Sequence, residues 1–81
     1  MAKEVKCSMF PNLKSEMTRY DVTVDDLSEV LGRAPVNVRL RLKGGKPILF
    51  GEAVAIRDYF NRTFGTDFTI DYLFSDKPIN L

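Results

Sequence analysis

The chain has no histidine, no tryptophan and a single cysteine among its 81 residues. Without histidine, neither a Ser-His-Asp nor a Cys-His nucleophile can be assembled. With Cys7 as its one thiol, no intramolecular disulfide can form and no zinc site made by this chain alone is expected. No glycine-rich phosphate loop of the G-x-x-x-x-G-K-[ST] form is present. No apolar run approaches the ~18–20 residues of a membrane span. Residues 1–11 include Lys3, Glu4 and Lys6 and lack the apolar stretch of a signal peptide. The expected setting is therefore a reducing cytoplasm. No catalytic group, metal, cofactor or small-molecule ligand is indicated, so the expectation is a binding protein and not an enzyme.

What is present is enough for one small core. A hydrophobic fraction of 44%, with 11% aromatic residues, in 9.2 kDa supports a single domain over residues 1–81. Twelve basic residues nearly balance eleven acidic ones, for a net charge of +1. Their distribution is uneven. Arg33, Arg39, Arg41, Lys43 and Lys46 fall within fourteen positions, and no Asp or Glu lies between Glu29 and Glu52. That window carries +5, which leaves −4 for the rest of the chain. Such a basic face on a nearly neutral protein suits a polyanionic partner. A solvated helix and loop would give the same pattern.

Helical spacing dominates the chain. Residues 1–8 read as a loose arm. Met9, Phe10, Leu13 and Met17 recur every three or four residues and predict a first helix over about 11–20, with Pro11 in its first turn. Thr23 and Asp26 form a T-x-x-D capping box, and Asp25 and Asp26 suit the positive end of a second helix. Leu27, Val30 and Leu31 are its apolar stripe, and Gly32 its stop. Pro35 starts a third helix of about nine residues, 35–43, with Val38 and Leu42 inward, and Gly44-Gly45 ends it. Ile48, Leu49 and Phe50 lead into a fourth helix over 51–63, which buries Ala53, Ala55, Ile56, Tyr59 and Phe60 and turns Arg57, Asp58 and Arg62 outward. Thr69 caps a short fifth helix over 70–74, and residues 75–81 are a tail. The fold class is all-α, with five short helices in one bundle.

The informative spacing is helix, glycine, two residues, helix. Residues 23–32 and 35–43 with Gly32 between them have the sequence form of a helix-turn-helix. The glycine lets the backbone reverse, and the second helix is then packed on one face and open on the other. An exposed helix fits the ~12 Å major groove of B-form DNA. The basic window lies on this second helix and the loop after it.

Over residues 9–74, about four fifths of its length, the chain resembles the small Cro/CI-type repressors with a lambda-repressor-like fold. It is similar in particular to short phage-encoded regulators of Gram-positive hosts. The residues that carry the likeness are "MFPNLKSEM", "TVDDLSEVLGR", "EAVAIRDYF" and "TDFTIDYLF". The resemblance implies five helices, operator binding through the third, and action as a dimer. Leu27, Leu31, Gly32, Val38, Leu42 and Gly44 match the family's framework positions, and its base-reading positions fall near Ala34, Pro35, Val36, Arg39 and Leu40. Four of those five are Ala, Pro, Val and Leu, where the family carries polar side chains.

The expected partner is thus double-stranded operator DNA. Arg39 is the candidate base reader, with Asn37 beside it and Val36 and Leu40 against thymine methyls. Arg33, Arg41, Lys43 and Lys46 are candidate phosphate contacts. Gly44-Gly45 could offer amides to a phosphate or serve only as a helix stop. Cys7 reads as an incidental thiol, and Asp25, Asp26 and Glu29 as dipole and solubility charges. Phe60, Phe64, Phe68, Tyr72 and Phe74 read as core, with a second subunit as the alternative partner for some of them. A rival reading takes the apolar Val36/Leu40 pair as a contact for a regulatory protein, in a domain that does not read DNA specifically, and a shifted helical register would instead make Val36 and Leu40 the buried pair.

Overall fold

The computed structural model describes residues 10–75. The expected arm, Met9, Cys7 and the tail beyond Ser75 lie outside them. Five helices follow one another: α1 (Pro11–Arg19), α2 (Val24–Leu31), α3 (Pro35–Leu42), α4 (Phe50–Phe64) and α5 (Ile70–Leu73). The described residues contain no strand. The fold is all-α.

The helix ends follow from local chemistry. Pro11 and Pro35 occupy first turns, where a missing N–H leaves no bond unmade. At the end of α1, Asp21 takes φ +57°. The Val22 amide returns to the Met17 carbonyl at 2.8 Å and the Asp21 amide to Thr18 at 3.3 Å. That is a Schellman closure with aspartate where glycine is usual. The Thr23 hydroxyl accepts from the Asp26 amide at 3.1 Å, and the Asp26 carboxylate accepts from the Thr23 amide at 2.9 Å. The expected capping box is therefore formed in both directions. Gly32 at φ +67° lets its own amide and that of Arg33 share the Ser28 carbonyl. The Ser28 hydroxyl donates to the Arg33 carbonyl and ties the turn to α2.

The core is Phe10, Leu13, Val22, Leu27, Val38, Ile56, Phe60 and Leu73. α2 packs against both α3 and α4, while α5 packs against α1 and α4. Phe60 is the centre of an aromatic cluster. Its ring lies 5.8 Å from Tyr59, 5.9 Å from Phe64, 5.8 Å from Phe68 and 6.3 Å from Tyr20. Tyr20 stacks on Phe64 at 4.6 Å, and Phe10 meets Phe74 edge-on at 5.2 Å. Asn61 replaces regular structure after α4. Its amide donates to the Phe68 carbonyl at 3.1 Å, and its oxygen accepts from the Phe68 amide at 2.8 Å and the Thr66 hydroxyl at 2.7 Å.

Three departures from the sequence expectation have physical reasons. α4 starts at Phe50 and leaves that ring 75% exposed, so the apolar lead-in is not wholly inward. Ala55 and Tyr59 are half-buried rather than buried, because the inward stripe of α4 runs through Glu52, Ala53, Ile56 and Phe60. Two polar residues of α1, Asn12 and Glu16, are buried. Asn12 donates to the Tyr72 carbonyl at 3.0 Å, and Glu16 accepts from the Tyr72 hydroxyl at 2.6 Å and from Arg19 at 3.0 Å. These bonds meet the requirement that buried polar groups be paired, and they fasten α5 to α1. The hydrogen bond to Glu16, with burial, pushes the Tyr72 phenol above its ordinary value.

Two phenylalanines on one helix separate packing from composition. Phe60→Ala should lower unfolding free energy by about 3–5 kcal/mol, as expected when a fully enclosed ring is deleted. Phe50→Ala should change it by no more than about 0.5 kcal/mol. Urea denaturation followed by circular dichroism measures both.

Candidate nucleic-acid interface

The basic window is organised around one carboxylate. Glu52 lies in the first turn of α4 and is buried. Its Oε1 accepts from Arg41 Nε at 2.9 Å and from the Leu49 amide at 3.0 Å, and its Oε2 accepts from Arg33 Nε. Arg41 also donates through Nη1 to the Asn37 carbonyl at 3.2 Å. One side chain therefore joins the turn after α2, the last turn of α3 and the start of α4. Burial alone would push the Glu52 carboxyl up. The Leu49 amide and the two guanidiniums outweigh that and hold it below its ordinary value near 4.5.

This geometry divides the expected phosphate ligands. The Arg41 side chain is only 13% exposed and is committed to Glu52 and Asn37. It positions α3 and is not a free surface cation. Arg33 is 39% exposed, with its Nε on Glu52. Lys43 and Lys46 are exposed and carry no ion pair with any described residue. The Gly44 amide donates to the Arg41 carbonyl at 3.2 Å and the Gly45 amide to the Leu40 carbonyl at 2.8 Å. Both amides are used to end α3, so the glycine pair acts as a helix stop. A Cβ on Gly45 would lie 3.3 Å from the Leu40 side chain, so the chain passes closely there.

The candidate base readers separate in the same way. Val38 is buried and Leu42 packs against the core, as the helical wheel requires. Val36 is 59% exposed and Leu40 37%. They share the open face with exposed Arg39 and Lys43. Asn37 is half-buried. Arg39 and Lys43 also line a groove between α3 and α1, to which Lys14 contributes. The carboxylates of α2 lie elsewhere: burial and the nearby Asp26 and Glu29 charges push the Tyr59 phenol up.

Sequence reasoning missed Glu52 and the roles of Arg33 and Arg41 as its partners. The available signal was that residues 30–51 hold no acid and Glu52 follows them at the third position of a helix. It also missed Lys14, whose place on α1 gives no hint that α3 lies across a groove from it. Among the described residues, no helix is long and apolar enough to cross a membrane. Comparison of the chain with protein-family models, curated proteins and solved structures gives no match.

Removing the Glu52 carboxylate leaves two guanidiniums uncompensated. Glu52→Ala should cost stability at the lower end of about 3–5 kcal/mol, because Arg33 is partly screened by solvent. The lowered carboxyl value fixes the sign with pH. The contribution is full above the unfolded carboxyl value and is lost as pH falls through the lower folded value. The difference between native protein and variant in urea titrations should therefore be constant near neutrality and shrink below about pH 4.5. A difference that grew on acidification would remove Glu52 from this role.

Proposed function

We propose that the chain is a sequence-specific DNA-binding regulator in which α2 and α3 act as a helix-turn-helix and α3 enters the major groove. The observation that carries this reading is the open face of α3. Val36, Arg39, Leu40 and Lys43 are exposed together on a helix whose opposite edge is held by Val38, Leu42 and the Arg41–Glu52 pair. No carboxylate lies within residues 30–51 to repel a phosphate. The likeness of the sequence motifs to phage Cro/CI-type repressors points the same way. In that reading the protein works in the cytoplasm, as a dimer on paired half-sites about one helical turn apart, and represses by occupying a promoter. It is a binding protein and not an enzyme.

The roles follow from exposure and chemistry. Arg39 reads a base edge, since arginine to guanine is the commonest specific contact. Val36 and Leu40 press against thymine methyls, and Asn37 supports them from its half-buried place. Lys43, Lys46 and the open side of Arg33 hold phosphates. Arg41 acts indirectly by setting the position of α3.

A second reading, a docking module for a regulatory protein, is favoured by the apolar exposure of Val36, Leu40 and Phe50. Val36→Asp with Leu40→Asp separates the two, because loss of a protein partner with DNA binding intact supports the module alone.

The test is fluorescence anisotropy on a duplex selected from a random pool. Three phosphate contacts per copy should make log K fall with log salt at a slope of about −2.7 for each bound copy, and about twice that for the dimer. Lys43→Ala should reduce that slope by about 0.9 per copy and weaken all duplexes alike. Arg39→Ala should cost about 1–3 kcal/mol on the selected duplex and relax one base position. Equal losses for both variants on every duplex would overturn the division of roles.

A further inference from the structure

Beside the exposed face of α3 lies a groove of about 560 Å³ between α3, α1 and the turn that joins α1 to α2. Its volume falls in the ~300–1,000 Å³ range of small-molecule sites. Its floor is apolar: Leu13 and Met17 of α1, Val22 of the turn and Leu42 of α3. Lys14, Arg39 and Lys43 stand around it, and none of them is paired with a carboxylate among the described residues. Asp21 is the one acid in the lining, so the groove carries a net +2. A phosphodiester backbone would satisfy the cations and leave the floor wet. A neutral apolar molecule would cover the floor and leave the cations without a counter-charge. The occupant that meets both has an apolar body and an anionic head.

From this combination we infer that the groove binds a small amphipathic anion, of the class of medium-chain carboxylates. The apolar chain lies along Leu13, Met17 and Leu42, and the carboxylate sits among Lys14, Arg39 and Lys43. Methionine at the floor suits a site that adapts to chains of different shape. The sequence led to no expectation of such a ligand, because Lys14 and Lys43 are far apart in the chain and line one groove only once it is folded. Binding itself is independent of the DNA reading. Its consequence rests on that reading: an anion held by Arg39 and Lys43 removes both from the duplex, so the ligand would release DNA.

The experiment titrates the ¹⁵N-labelled full chain with decanoate below its micellar concentration, and in parallel with decanol. Saturable shifts at the amides of Met17, Val22, Val24 and Leu42 are expected, with decanol at least ten-fold weaker. Lys14→Glu with Lys43→Glu changes two exposed side chains outside the core and should weaken decanoate at least ten-fold while leaving the spectrum folded. Decanoate added to the chain with labelled duplex should lower the anisotropy. Absence of saturable shifts, shifts centred elsewhere, equal binding of decanol, or undiminished binding by the charge-reversed variant would each overturn the site. A chain that binds decanoate but no duplex would sink the DNA reading and leave the groove standing. One that binds duplex but not decanoate would do the reverse.

Discussion

The buried Glu52 carboxylate is the constraint on which the exposed surface depends. α3 has only eight residues, too few to be stable as an isolated helix. Its apolar hold on the core is narrow, with Val38 buried and Leu42 partly so. Glu52 adds a second attachment from the other side by taking Arg41 from α3, Arg33 from the preceding turn and the Leu49 amide from the start of α4. A carboxylate with three donors converts a costly buried charge into a fixed point. With that point set, Val36, Arg39, Leu40 and Lys43 have nowhere to go but outward.

Most of the remaining core is built without α3, which contributes Val38 to it. Phe60, its aromatic neighbours and Leu73 build the core between α1, α2, α4 and α5. The Asn12, Glu16 and Tyr72 bonds then lock α5 onto α1. Substitution on the open face of α3 is thereby separated from the stability of the core. Such a separation lets a small domain vary its binding residues without unfolding.

Much of the architecture was legible in the sequence. Thr23, Gly32 and Pro35 mark helix ends by backbone chemistry that does not depend on tertiary context, and each does so in the structure. The outward placement of Val36 and Leu40 followed from the helical wheel and holds. What was not legible depends on approach between distant segments. Beyond its place at the third position of a helix after an acid-free stretch, nothing local distinguishes the buried Glu52 from a surface glutamate, or Arg41 from Arg39 two positions earlier. Only the juxtaposition of α3 and α4 makes one arginine a structural partner and leaves the other at the surface. The groove shared by Lys14 and Lys43 was hidden for the same reason.

The central proposal is that the open face of α3 meets duplex DNA, and the most direct measurement is amide shift mapping of the ¹⁵N-labelled full chain with a mixed-sequence duplex at low salt. We expect the largest changes over residues 33–46, fading as salt is raised, with α5 and the Phe60 cluster unmoved. Changes centred on α4 and α5, or none at low salt, would contradict the proposal that α3 is the DNA-facing helix.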